Sequence, residues 1–401
     1  MQDFFSYCVC MSRKIAILGS TGSIGTNALR VIESLGDEYE VIALTAHGNT
    51  KMLAEQVRRF GPKFIGLTNP QKAHSLRERL GGWKGGLFIG PESLVEIAGL
   101  EEIDTVITAV VGAAGLGAVL RAAKKGKTIA VANKEPLVIA GQLLTETAKV
   151  SGATILPIDS EHSAVFQAMQ TGRLEEVSRI ILTASGGPFR NATADQMENA
   201  TVEQALAHPT WEMGRKVTVD SATMMNKALE VIEARWLFDV CTDKIDVLVH
   251  PESVVHSMVE FVDGSVVAVL GKPDMCVPIQ YALTYPRRAK GIGERLDLAE
   301  LGKLTFEKPN RKVFRALDLG FAVAAKGGSA PVVFNAANEM AVQEFLAGRI
   351  RFGMIVRAIE HCLDKHDVRP GISLEEVPGL DAWARNQACD YLKKRIEQIA
   401  H

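Results

Sequence analysis

At 401 residues the chain exceeds what one hydrophobic core supports, so two or three domains are expected. Hydrophobic residues at 47% and charged residues at 23% mark an ordinary globular protein, and 35 glycines beside 6% aromatics favour an α/β architecture rich in tight turns. A formal net charge of −2 gives no electrostatic case for binding nucleic acid or an anionic membrane, and neither partner is expected.

Six cysteines are scattered, with only Cys8 and Cys10 close together and no metal-type CxxC, so free thiols in a reducing compartment, the cytoplasm, are expected. Residues 1 to 10 carry Asp3 and no basic n-region, which argues against a secretory signal; they read as a tail, with Met11 as the natural start. The longest apolar run, Thr105 to Leu120, is too short and too rich in glycine and alanine to span a membrane.

Lys14 to Leu18 (KIAIL) is a short β-rich run, followed at once by GSTGSIG (Gly19 to Gly25) and a helical pattern through Leu29, Ile32 and Leu35. Strand, glycine-rich turn and helix form the context of a dinucleotide site, because glycines admit the pyrophosphate and the helix N-terminus offers it unpaired N–H groups. The spacing is GxxGxxG rather than GxGxxG, and a tight strand-to-helix turn without a ligand also needs such glycines. A second strand, Glu40 to Leu44, ends in Ala46-His47-Gly48-Asn49 with no acidic residue for a ribose 2′-hydroxyl, which favours NADP over NAD. Strands at Phe64 to Leu67, Leu87 to Ile89, Thr105 to Val111 and Thr128 to Val131 alternate with helices and predict a doubly wound, largely parallel sheet to about residue 150.

The last of these strands runs into Asn133-Lys134-Glu135, placed either for a ligand or as a capped turn. Ala153 to Ile158 is a further strand, ending in Asp159-Ser160-Glu161-His162-Ser163. Two carboxylates two positions apart would repel unless a divalent cation joins them, and hard oxygen ligands suit Mg²⁺ or Mn²⁺; helix capping by the Asp or Ser of this stretch is the alternative. Arg179 to Leu182 leads into Ser185-Gly186-Gly187, either an anion-binding turn or a plain one.

His208 to Phe238 is the densest stretch. His208 to Arg215, with Pro209, Trp211 and Gly214, reads as a mobile loop. From Ser221 onward Met225, Leu229, Ile232 and Trp236 fall on one face of a helix, leaving Ser221, Asn226, Lys227 and Glu230 off that stripe. The polar face is either an ordinary one or part of a site for a phosphorylated, metal-assisted substrate. Lys244 to Val249, Val254 to Phe261 and Ser265 to Leu270 read as strands, the last two joined by the Asp263-Gly264 turn. Residues 286–311 read as a linker, and the chain from Lys312 as helical without a convincing strand.

With GSTGSIG, NKE, DSEHSA, ASGGPF, HPTWEMGRKVTVDSATMMNKALEVIEARWLF and HPESVVHSMVEFVDGSVVAVLGKPDM in this order, the chain from Lys14 onward resembles the 1-deoxy-D-xylulose 5-phosphate reductoisomerase family. The resemblance implies an α/β fold with an N-terminal Rossmann-like doubly wound parallel sheet (1–150), a central α+β catalytic domain (151–285) with a lid loop (207–216), a linker (286–311) and a C-terminal helical domain (312–401). It implies NADPH-dependent conversion of a phosphorylated ketose, 1-deoxy-D-xylulose 5-phosphate, to 2-C-methyl-D-erythritol 4-phosphate in the non-mevalonate isoprenoid pathway, with Mg²⁺, Mn²⁺ or Co²⁺, by a homodimer. Carried across by motif, Asp159, Glu161 and Glu230 are the metal ligands, and Lys134, Ser160 and Glu161 hold the substrate backbone. Ser185, Ser221, Asn226 and Lys227 grip the phosphate, and His208 lies on the lid and at the substrate. Thr21, Gly22, Ser23, Ile24, Asn133, Glu135 and Gly214 contact NADPH, and Trp211 and Met213 close the lid. The divalent ion serves as Lewis acid and template for a retro-aldol cleavage and re-addition, after which hydride transfer reduces the aldehyde.

Two departures stand out. The family's Gly-Lys-Asn or Gly-Arg-Asn turn is His47-Gly48-Asn49 here, which leaves the 2′-phosphate contact open, and the family's HPQS is His250-Pro251-Glu252-Ser253. The rivals are an ordinary NADP-dependent dehydrogenase without rearrangement, which needs no three converging carboxylates, and a non-catalytic nucleotide-sensing protein, which leaves lid and phosphate residues unexplained.

Overall fold

The computed structural model describes residues 12–400, so the tail reading and the Cys8 and Cys10 thiols lie outside the described residues. The chain forms two compact units. The first takes in the chain to Asn133, Thr147–Ile158 and Met275–Gly293; the second takes in Lys134–Glu146, Asp159–Asp274 and the chain from Glu294.

The first unit is built on seven strands: β1 (Arg13–Leu18), β2 (Tyr39–Ala46), β3 (Phe64–Leu67), β4 (Gly86–Ile89), β5 (Thr105–Thr108), β6 (Thr128–Val131) and β7 (Thr154–Pro157). They pair in parallel in the order β4-β3-β2-β1-β5-β6-β7. Ile15 to Leu18 are fully buried, as a central strand covered on both faces must be. Strand order reverses between β1 and β5, so the crevice beyond their carboxyl ends is the topological switch point where such sheets bind ligands. Strand β7 falls in the stretch assigned from sequence to the second domain, yet it pairs with β6 and forms the edge of this sheet. Long-range parallel pairing sets that register, and no local pattern reports it.

In the second unit β8 (Val177–Ala184), β9 (Ile245–Val249), β10 (Val255–Phe261) and β11 (Val266–Leu270) form a mixed sheet in the order β11-β10-β8-β9. Only β8 and β9 are parallel. Strand β10 alternates strictly between buried and half-buried positions, the mark of a sheet with one face on the core. Its hairpin to β11 turns at Gly264, whose φ of 86° glycine adopts without a steric cost, and the Asp263 carboxylate accepts the Ser265 N–H.

Helices Arg315–Lys326, Ala330–Leu346, Met354–Lys365 and Val377–Ala400 make up a helical C-terminal region. They share one apolar core with the Met225–Leu237 helix and the sheet. A side chain on Gly320 would come within 2.5 Å of Ala228 Cβ, so glycine is what lets those two helices approach. The stretch read as a linker is partly pinned to this unit: Glu307 pairs with Val249 through two backbone bonds of 2.8 and 2.9 Å, and His250 donates to the Thr305 carbonyl at 2.8 Å. A single bridge has no periodicity, which is why the sequence shows only a linker there.

Candidate active site

In the first unit the glycine turn is fixed from behind. The Gly19 N–H donates to the Thr45 hydroxyl at 2.9 Å, and the buried Ser20 hydroxyl donates to Gln56 Oε1 at 2.7 Å. Gly19 has φ 88°, and a Cβ there would sit 2.5 Å from the carbonyl oxygen of Ala109, just past β5, so only glycine fits at the switch point. The helix Ser23–Leu35 starts after Gly22 with no side chain capping it, which leaves its first N–H groups open to an anion at Thr21 to Ile24. Asn133, at the end of β6, is buried, and neither polar atom of its amide has a partner among the described residues. A buried amide of this kind costs free energy unless a ligand satisfies it, so these residues fit a dinucleotide. His47, Gly48 and Asn49 follow β2; Asn49 caps the next helix by accepting the Met52 N–H.

The second unit gathers Lys134, Asp159, Ser160, Glu161, Asn226, Lys227 and Glu230. Lys134 donates to Asp159 at 2.8 Å and lies 3.8 Å from Glu230. Lys227 donates to Glu161 at 3.0 Å and is paired with Glu230, to which Asn226 also donates. The Ser160 hydroxyl donates to Glu161 at 2.5 Å, and Asp159 caps the helix Ser160–Met169 by accepting the Glu161 N–H. Asp159 thus caps a helix with one oxygen while the other faces Lys134, so the capping role does not exclude the other.

The electrostatics follow from burial. Glu230 is 1% exposed, and desolvation pushes its carboxyl up to about 8 despite Lys227. Burial opposes the charge of Lys134 and Lys227, but the surrounding carboxylates outweigh it and hold both above their ordinary value. Desolvation also opposes the charge of the half-buried Asp159, yet Lys134 and His162 keep it well below the usual carboxylate range.

The buried Glu233 is the site's unforeseen fourth carboxyl; burial pushes it up to about 7, and neither oxygen has a hydrogen-bond partner among the described residues. Beside it lies His162, whose Nδ1 donates to Asp159 at 3.2 Å and whose Nε2 donates to the Glu230 carbonyl at 3.0 Å. Burial disfavours its charge, but Glu233 and Asp159 prevail and raise it to about 9. Ligand atoms of Asp159, His162 and Glu230 lie within 4.8 Å of one another. An imidazole with both nitrogens donating has no lone pair for a metal, so His162 orients its neighbours instead. The donor set is therefore carboxylate oxygen, and four acidic groups crowded against two lysines fit a hard divalent cation.

A second cluster surrounds the Ser185-Gly186-Gly187 turn. Gly187 has φ 62°, and a Cβ on it would lie 2.8 Å from the Ser221 carbonyl, which brings this turn against the end of the Arg215–Ala222 helix. His208 accepts the N–H groups of Thr210 and Trp211 on Nδ1, at 3.2 and 2.9 Å. Its Nε2 then carries the proton and donates to Ser185 Oγ at 3.0 Å. A cleft of about 610 Å³ opens beside Ser185, Gly187, Pro209 and Pro251, with none of the carboxylates in its wall.

Residues 207–214 carry no regular structure, with Trp211 6.3 Å from the His256 ring and Met213 half-buried. Gly214 precedes the Arg215–Ala222 helix, and Glu135 lies 3.7 Å from Lys216, which is also held by Asp220 at 2.7 Å. The helix expected from Ser221 onward is in fact two. Ser221 belongs to Arg215–Ala222, and Asn226, Lys227 and Glu230 to Met225–Leu237, with Met224 left-handed at φ 62° between them. The expected stripe survives, with Met225, Leu229 and Ile232 fully buried and Trp236 half-buried.

Profiles of the family described as 1-deoxy-D-xylulose 5-phosphate reductoisomerase match residues 15–141, and those of its C-terminal domains match 155–238 and 270–387. The reductoisomerase of Shouchella clausii is 50% identical over 376 residues, 94% of this chain and 99% of that one. That of Geotalea uraniireducens is 48% identical over 380 residues, covering 95% and 98%. The structure of the Zymomonas mobilis enzyme in complex with NADPH superposes with a TM-score of 0.90 at 44% identity, covering 95% of this chain and 99% of that one. A reductoisomerase in complex with NADPH, fosmidomycin and magnesium does so with 0.90 at 42% identity, covering 95% and 98%. This chain belongs to the 1-deoxy-D-xylulose 5-phosphate reductoisomerase family.

Proposed function

We propose that this protein converts 1-deoxy-D-xylulose 5-phosphate to 2-C-methyl-D-erythritol 4-phosphate with NADPH and a divalent metal ion, in the non-mevalonate isoprenoid pathway. The observation that carries the reading is the convergence of Asp159 and Glu161, both half-buried, with the buried Glu230, bound up with Lys134 and Lys227. An ordinary dehydrogenase has no need of that set. When bound, the metal supplies Lewis-acid polarisation of adjacent hydroxyl and ketone oxygens, and the nicotinamide supplies a hydride.

Asp159, Glu161 and Glu230 hold the metal, and Lys134 and Ser160 hold the substrate's oxygens at the reacting end. Ser185, Ser221, Asn226 and Lys227 take the phosphate, which lies away from the reacting carbons and supplies binding energy for closure. His208 ties the 207–216 lid to Ser185 and so links phosphate occupancy to the position of Trp211 and Met213, which exclude water from the reacting carbons. Thr21 to Ile24, Asn133, Glu135 and Gly214 contact the cofactor. No helix among the described residues is long and apolar enough to cross a membrane. The family resemblance supports a cytoplasmic homodimer, which sedimentation of the purified protein tests. The activity is tested by following NADPH oxidation with this substrate, with and without Mg²⁺; no turnover from folded protein in either condition would overturn the reading.

A further inference from the structure

The end of β2 presents a puzzle of charge. In a doubly wound sheet the adenine ribose of a bound dinucleotide lies at the end of the second strand, where a 2′-phosphate needs a positive neighbour. Residues 41–50 (VIALTAHGNT) hold no lysine, arginine, aspartate or glutamate. His47 is the one ionisable group there, and its Nδ1 is engaged with the Thr68 hydroxyl at 2.8 Å. A histidine also carries full charge only when protonated.

The structure supplies the missing charge from the next loop. Thr68 and Asn69 donate their N–H groups to the carbonyls of Ala46 and His47, at 3.0 and 3.1 Å, so the loops after β2 and β3 are stitched together. Asn69 then caps the short turn Pro70–Lys72 by accepting the Gln71 N–H at 3.0 Å. This fixes where Lys72 starts. A Cβ placed on Gly48 would lie 3.8 Å from Lys72 Cγ and 3.9 Å from Asn69 Nδ2, so the lysine stem runs alongside the glycine. Glycine at 48 leaves the backbone open to a ligand while the charge arrives from across the gap. Residues 64–75 (FIGLTNPQKAHS) hold no acidic residue to neutralise it, and Lys72 is exposed.

We infer that Lys72, on the loop after β3, is the residue that selects NADPH over NADH by binding the 2′-phosphate, the charge at this place having moved from the β2 loop to its neighbour. Asn69 positions it. The inference rests on the NADPH dependence proposed above, and it concerns only the ribose end of the cofactor, remote from the metal.

Lys72→Gln, Lys51→Gln and His47→Gln are compared with wild type by titrating the metal-free, substrate-free protein with NADPH and with NADH, read by nicotinamide fluorescence. A charge-assisted contact at an exposed phosphate is expected to give about a tenfold loss of NADPH affinity in Lys72→Gln with NADH affinity unchanged. Lys72→Arg should retain the preference, and added salt should erode it in wild type far more than in Lys72→Gln. An unchanged NADPH to NADH ratio in Lys72→Gln overturns the inference, as does the loss appearing instead in Lys51→Gln or His47→Gln. A wild-type protein with no preference for NADPH would instead sink the cofactor reading itself, and this one with it.

Discussion

Replacing Glu230 by glutamine separates its buried acid from the metal-ligand role proposed for it. The side chain is 1% exposed, and its carboxyl is pushed from 4.5 up to about 8. A raised value means that the folded, metal-free protein holds the proton more tightly than the unfolded chain. The associated stability is fully present below 4.5 and is lost as pH rises through 8. At about 1.4 kcal/mol for each pH unit, ionising the site between those limits destabilises the metal-free protein by roughly 3 to 6 kcal/mol. Glutamine has the shape of the protonated acid and cannot ionise. In EDTA the variant should therefore match wild type near pH 5 and melt at a clearly higher temperature at pH 9. Mg²⁺ should reverse the order, since it raises the wild-type melting temperature and leaves the variant's almost unmoved. Thermal unfolding across that pH range, with and without Mg²⁺, reads both effects. Equal destabilisation of the variant at pH 5 and pH 9, or equal stabilisation of both proteins by Mg²⁺, would refute the reasoning.

The same raised carboxyl makes Mg²⁺ binding proton-coupled: affinity should climb as pH rises towards about 8, with proton uptake or release checked by calorimetry in buffers of different ionisation enthalpy. Gly187→Ala forces a side chain into φ 62° and against the Ser221 carbonyl, so it should cost about 1 to 3 kcal/mol of stability. It should also raise KM for the phosphorylated substrate while leaving NADPH affinity intact; an unchanged KM would remove this turn from the phosphate cradle. His208→Ala loses three hydrogen bonds that shape the loop proposed as a lid, and about tenfold or more in kcat/KM is expected, measured with saturating NADPH. Burial pushes the Cys362 thiol up to about 12, so it should resist alkylation in the native protein at pH 8 while the exposed Cys241 reacts, as peptide mass mapping would show.

Much of this was readable in the sequence because its signals are local. KIAIL, the glycine turn and the β10 alternation each state their own conformation through composition and period. The helix break at Met224 is different, since methionine carries no turn signal and is rarely left-handed, so no local pattern announces its φ of 62°. Strand β7 looked like a preface to Asp159 and is an edge of the first sheet, because parallel pairing joins segments far apart in sequence. His162 and Glu233 sat in plain view within quoted motifs. A histidine with two acceptors, or a carboxyl with none of its bonds made, becomes visible only when Ser160–Met169 and Met225–Leu237 are brought side by side. Lys72 is the same case at the cofactor's ribose: the β2 loop, read alone, lacks the charge that its neighbour supplies.

Rearrangement of the carbon skeleton is what divides this reading from an ordinary NADPH-dependent reduction. The direct test supplies ¹³C-labelled 1-deoxy-D-xylulose 5-phosphate with NADPH and Mg²⁺ and follows carbon–carbon coupling in the product by NMR. A branched polyol phosphate containing a newly formed carbon–carbon bond is the expected product; an unbranched, merely reduced one would contradict the assignment.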